Sequence, residues 1–208
     1  SERILYMNLF LLASLIVLVV FISYNIKKQS KARSETEQAF WAREQRSNSV
    51  RRKSLDNLAY VKIPLETFPT HLMNDNPDVM ECIEILEALT SQKIVNLTGW
   101  SNTDLKLEYG TANLTLLSEY DQNYTVLVRT LQKWADLLIQ NHYQKEAVPL
   151  MEFAVTTGSD VSRTYYALAD YYTSAGQSDE IRRLREAAGN LRSSSRDIIV
   201  KHLQKNYS

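Results

Sequence analysis

The chain is short of nearly everything that punctuates or cross-links a fold: its 208 residues include one cysteine, four prolines, five glycines and three histidines. A lone thiol, Cys82, closes no intramolecular disulfide, which favours a reducing compartment. So little glycine and proline excludes collagenous and linker-like chains and speaks against an all-β fold with many turns. That leaves helices. Charge of one sign is missing too: Lys+Arg and Asp+Glu count 24 each, so the molecule as a whole carries no footprint for nucleic acid. His71, His142 and His202 lie far apart with no Cys or carboxylate at ligand spacing, which excludes a zinc site. Asn74 to Asp78 resembles the start of a calcium loop but lacks its glycine and its closing glutamate, so it reads as a helix cap. There is no Walker-type loop, no Gly-x-Gly-x-x-Gly and no Gly-x-Ser-x-Gly. Cys82 shares a helix side with Ile83 and Leu86 and reads as core, not as a nucleophile. No enzyme, metal or cofactor is indicated.

What is present first is an apolar run. From Ile4 to Tyr24 the chain carries no charge, and at about 1.5 Å per residue it spans a hydrocarbon core of roughly 30 Å. A cleaved signal peptide has a shorter apolar core and a small-residue cleavage site, neither evident here, so an uncleaved single-pass anchor over residues 1–26 is expected, with residues 4–24 in the bilayer. Lys27, Lys28, Lys31 and Arg33 follow the run, against Arg3 before it. The positive-inside rule then places the N-terminus outside and the C-terminal bulk in the cytoplasm, as for a bacterial plasma-membrane protein. Three Asn-x-Ser/Thr sequons, at Asn96, Asn113 and Asn123, are the counter-signal.

Residues 27–58 read as a basic juxtamembrane stalk helix. Between Lys27 and Lys53 there are nine basic and three acidic residues and no proline or glycine. Phe40 and Trp41 are the large apolar residues of its first half, either packed on the stalk's own domain or serving as interfacial or partner contacts. Pro64 and Pro69 forbid a helix over 59–76, which is read as an extended connector laid on the surface by Tyr60, Ile63, Leu65 and Phe68.

Beyond it the punctuation is helical. Asn76-Pro77 is an N-cap with a first-position proline, followed by Val79, Cys82, Ile83, Leu86 and Leu89 at helical spacing. Ser101 to Asp104 and Ser118 to Asp121 have the form of capping boxes, opening a short helix to about Gly110 and a long one to about Asn141. Ser194 to Asp197 is a third such box, before an apolar stripe of Ile198, Ile199 and Leu203.

The segment from Leu131 to Ala154 repeats from Tyr165 onward, with Ala135 and Ala169 34 residues apart. Trp134 and Leu168 precede these alanines, Leu138 and Tyr172 follow three residues later, and Ala147/Ile181 and Ala154/Ala188 match in the second helices. Small residues at fixed positions allow helices to approach closely. Gly176 supplies a turn within the second unit, Ser178 a cap, and Gly158 with Ser159 the junction between units. This stretch, about Val128 to Asn190, resembles the tetratricopeptide repeat, a helix-turn-helix unit of that period. It departs from that pattern at His142, where glycine is usual, at Pro149 in the second helix, and at Ile181 and Arg185. The whole chain resembles single-pass membrane proteins of Gram-positive bacteria that end in a tetratricopeptide-like domain.

The resemblance implies an all-α architecture over 77–208, a stack of helical hairpins with a concave wall made by successive first helices. On that wall both units carry Arg129/Arg163, Gln132/Tyr166 and Asp136/Asp170, with Arg and Asp seven residues apart and so on one helix face. Either the strip contacts a peptide or partner helix, or its Arg and Asp pair between neighbouring helices on a solvated face. The function expected is docking or assembly of a protein partner at a membrane. A structural accessory subunit held through the membrane helix, Phe40 and Trp41 is the alternative.

Overall fold

The computed structural model describes residues 36–207, so the expected anchor and the first part of the stalk lie outside the described residues. Among those described, no helix is long and apolar enough to cross a membrane. The chain is all-α: α1 (36–48), α2 (Pro77–Thr90), α3 (Asn102–Tyr109), α4 (Leu114–Gln140), α5 (Gln144–Thr156), α6 (Ser162–Ser174), α7 (Ser178–Gly189) and α8 (Ser195–Asn206). The described residues hold no strand, only an isolated antiparallel bridge between Tyr60 and Val95.

Local signals set some helix ends and tertiary contacts set others. Asn76 caps α2, its Oδ1 accepting from the Asp78 and Val79 amides at 2.9 and 3.3 Å, and Ser101 with Asp104 forms a complete capping box on α3. The other three expected caps are not formed. A 3₁₀ turn, Thr111–Asn113, feeds straight into α4, so Ser118 is interior and Asp121 instead accepts the Leu97 amide at 3.0 Å. Ser178 is the first residue of α7, one past the N-cap position that Gln177 holds, and no side chain caps the helix. Ser194 has helical backbone angles, φ −64° and ψ −19°, whereas a capping side chain needs an extended residue.

Two helical hairpins, the C-terminal half of α4 with α5 and α6 with α7, repeat one another bond for bond. The amides of Asn141, His142 and Tyr143 donate to the carbonyls of Leu137, Ile139 and Leu138; those of Ala175, Gly176 and Gln177 donate to Tyr171, Thr173 and Tyr172. His142 and Gly176, at matching positions, have φ of +68° and +70°. The histidine therefore stands in a left-handed conformation that glycine adopts without cost.

Packing follows the same register. Trp134/Leu168, Ala135/Ala169, Leu138/Tyr172, Leu150/Leu184 and Ala154/Ala188 are all buried, in a core where α2, α4, α5, α6, α7 and α8 pack in sequence. One further step brings α8 into the row of first helices, with Ile199 and Leu203 fully buried. Ile198, expected in their stripe, is 64% exposed, since adjacent residues on a helix point about 100° apart. The turn between the hairpins is held by side chains from three places: Asn96 Nδ2 donates to the Thr157 and Gly158 carbonyls (2.9 and 3.1 Å), the Tyr124 hydroxyl to Thr157 (3.1 Å) and the Tyr165 hydroxyl to Ser159 (2.9 Å).

The stalk helix stops at residue 48, short of 58. Residues 51–53 then dock on the α3–α4 junction, where Lys53 donates its amide to the Tyr109 carbonyl at 3.0 Å. Asn113 is fully buried there; its amide donates to the Lys53 and Tyr109 carbonyls, both at 2.7 Å, and its Oδ1 accepts from Arg52 Nε at 2.9 Å. Gly110, at φ +86°, admits this close approach, for a Cβ on it would come within 2.3 Å of the Arg51 carbonyl oxygen. The connector is extended only in part: Leu65–Thr67 is a 3₁₀ turn and Phe68 enters the core, its ring 6.1 Å from Trp134 and 5.6 Å from Phe153.

Three substitutions separate packing from backbone strain. Ala169→Leu, which must fit where nothing is exposed, is expected to cost about 1–3 kcal/mol. A Cβ on Gly176 meets nothing within 4 Å, so Gly176→Ala reports the left-handed backbone alone, about 1 kcal/mol, while His142→Gly gains a comparable amount or less. Urea denaturation of each variant measures these differences.

Candidate functional site

Three of the six strip residues come together. Arg163 Nε lies 2.9 Å from Asp136 Oδ1, and Gln132 Nε2 donates to the same oxygen at 2.8 Å. The Thr164 hydroxyl donates to Gln132 Oε1 at 2.5 Å, so the cluster bridges α4 and α6. The ion pair joins one unit's Asp to the next unit's Arg across the helix interface. Arg163 is 66% exposed along its side chain, which keeps the pair's contribution within about 1 kcal/mol.

Tyr166 and Asp170 of the second unit are engaged by the chain's own C-terminal helix and tail. Tyr166 stacks on His202 of α8 with ring centres 3.8 Å apart, and Asp170 accepts the Tyr207 hydroxyl at 2.6 Å. The Tyr207 carbonyl is held in turn by the Arg185 guanidinium. Burial, then the hydrogen bond to Asp170, pushes the Tyr207 phenol up to about 12. Sequence reasoning missed His202 and Tyr207 as members of this face. The signal was available, because Ile199 and Leu203 continue the 34-residue register of Tyr165 and Ala169 and so place α8 beside α6.

Arg129 is the strip residue left over: it is exposed and forms no ion pair among the described residues. Beside this face a cleft of about 630 Å³ opens between α4, α5 and α6, bordered by Ile139, His142, Met151, Ala167, Asp170 and Tyr171. Its lining mixes apolar surface with donors and acceptors of both signs.

Phe40 and Trp41 sit elsewhere, on α1, 56% and 66% exposed and packed edge to face on each other at 5.4 Å. The contacts of α1 with α3 are polar: Arg43 with Asp104 at 2.5 Å, Glu44 with Lys106 and, at 2.7 Å, with the Thr103 hydroxyl. Lys106 and Thr103 hold the Glu44 carboxyl below the usual range, and Ser101 does the same for Asp104. Both carboxylates are thus charged partners at neutral pH.

Other candidate groups serve the fold. Cys82 is buried, and burial pushes its thiol up to about 11, which leaves it protonated at neutral pH. Among the described residues no group of three His, Cys, Asp or Glu could hold a metal ion. The sequon residues Asn96 and Asn113 spend their amides on backbone carbonyls, and a glycan on fully buried Asn113 is incompatible with this fold. No family model, curated protein or solved structure matches the chain.

The Tyr207–Asp170 contact has a pH signature. A phenol with a raised folded pKa contributes stability that is fully present below its ordinary value of about 10 and is lost as the pH climbs through about 12. Tyr207→Phe removes the donor at a cost of no more than about 1 kcal/mol, because the pair is exposed. The stability difference between the two proteins, followed by urea titration, is expected to be constant below pH 10 and to shrink above it.

Proposed function

We propose that the protein is a membrane-anchored docking module, held in the bilayer by residues 4–24, whose cytoplasmic hairpin stack of the tetratricopeptide type binds a protein partner. The observation that carries this reading is the recurrence of one helical hairpin at 34 residues, down to the left-handed residue at His142 and Gly176. Stacked hairpins present a continuous wall for recognition. The open part of that wall is the Arg129 end and the cleft beside Ala167 and Tyr171, since Tyr166 and Asp170 are engaged by α8 and the tail.

A second reading has its own support. The exposed rings of Phe40 and Trp41 favour an accessory subunit that contacts its complex through the stalk.

Site-specific photocrosslinking of the full chain in its own membrane distinguishes them. With benzoylphenylalanine at Arg129 or Tyr171, the docking reading expects one discrete protein adduct, absent with the probe at exposed Glu186 on α7. An adduct from position 41 alone transfers the function to the stalk, and no adduct at any of these positions removes both readings.

A further inference from the structure

The surface of α1 carries more than its attachment to the domain needs. Ser47 is its one buried residue among those described, and no apolar side chain of the helix enters the core. Arg43, Glu44, Ser47 and Asn48 make the attachment, through Asp104, Lys106, Thr103 and Thr111. Phe40 lies four and seven residues before Glu44 and Ser47, and Trp41 seven before Asn48, so both rings prolong the docking stripe beyond the last contact with α3. They are preassembled there, edge to face and more than half exposed.

We propose that this ring pair is a second membrane contact, seated at the headgroup level of a bilayer leaflet rich in anionic lipid. The inference rests on the membrane-anchored reading above. Three observations select lipid as the occupant. First, the patch is two side chains on one helix, far below the roughly 800 Å² that each partner contributes to a stable protein interface, whereas interfacial aromatics act singly at headgroup depth. Second, the surrounding sequence is cationic: between Lys27 and Lys53 there are nine basic and three acidic residues, and pairing of Arg43 with Asp104 and of Glu44 with Lys106 leaves that excess in place. Arg46 is exposed and unpaired among the described residues, on the helix that carries the rings. Basic residues beside exposed aromatics suit an anionic surface, by charge for the former and by amphipathic fit for the latter. Third, 11 residues separate Tyr24, the end of the apolar run, from Thr36, the first described residue of α1, and since a chain spans at most about 3.3–3.6 Å per residue the ring pair near the start of α1 is tethered within reach of the leaflet in which the run ends.

The full chain is reconstituted in vesicles of phosphatidylcholine with or without phosphatidylglycerol, carrying a nitroxide at Ala42→Cys or, in a parallel sample, at Ser14→Cys. Native Cys82, buried and protonated, stays unlabelled. The collision rates of each label with oxygen and with a water-soluble nickel chelate report its surroundings. In anionic vesicles the label at 42 is expected to gain oxygen collisions and lose nickel collisions. High salt, omission of phosphatidylglycerol, or Phe40→Ala with Trp41→Ala in the same chain should return it to water. Since both rings are exposed, that double substitution leaves the helical circular dichroism unchanged. A label at 42 that stays aqueous in anionic vesicles while the label at 14 lies in hydrocarbon overturns the proposal and leaves the anchor standing. Aqueous signals at both positions overturn the anchor as well. Spin–spin broadening that grows with the protein-to-lipid ratio, without a gain in oxygen collisions, assigns the rings to a second copy of the chain and also overturns it.

Discussion

The turn at 157–159 is the constraint on which the rest of the structure depends. Three successive carbonyls there are each taken by a side-chain donor, the first two in part-buried bonds and the third in a buried one, where a carbonyl left without a donor would cost about 1–3 kcal/mol. The donors are Asn96 from the segment after α2, Tyr124 from the middle of α4, and Tyr165 from α6. Gly158, at φ +78°, makes the geometry possible, and a Cβ on it would lie 3.0 Å from the Asn96 amide. Burial pushes the Tyr124 phenol up to about 12, which keeps it a donor at any physiological pH. Because the three donors come from three parts of the chain, the N-terminal layer and the two hairpins cannot shift independently without breaking this turn.

A rigid stack then decides which surface is free. Once α6 is fixed beside α4, Arg163 meets Asp136, and once α8 takes the next place in the row, Tyr166 and Asp170 meet His202 and Tyr207. The polar strip that looked like a binding wall is therefore half consumed by the fold that creates it. What remains is the Arg129 end, the cleft between hairpins and the ring pair on α1. Two of these belong to the stack and one to the stalk, which is why docking and membrane contact divide between them in the account proposed here.

Much of this was legible in the sequence where the information is local. Asn76-Pro77 and Ser101 to Asp104 cap their helices with nothing but neighbouring backbone, and a 34-residue register of small and large side chains is visible without coordinates. Ser118, Ser178 and Ser194 show the limit. Each has a capping residue type, yet none serves as a cap: the 3₁₀ entry at Thr111–Asn113 puts Ser118 inside α4, Ser178 falls one residue past the N-cap position, and Ser194 has a helical backbone. Pro64 and Pro69 rule out a helix through the connector, but they say nothing about how deep Phe68, one of the side chains expected to hold it against the domain, reaches. The strip was ambiguous for a related reason. Spacing of seven puts Arg129 and Asp136 on one face of α4, while the pair that forms, Arg163 with Asp136, depends on how α6 lies against it.

The functional account stands on the hairpin stack being held at a membrane on its cytoplasmic side. The most direct test places a cysteine at exposed Lys205 of the full chain and treats intact cells with a membrane-impermeant maleimide. Buried Cys82 gives no background in the folded protein. The account predicts that position 205 co-fractionates with membranes and is labelled only after the cells are opened. Labelling of intact cells, or recovery of the unlabelled chain in the soluble fraction, would contradict it.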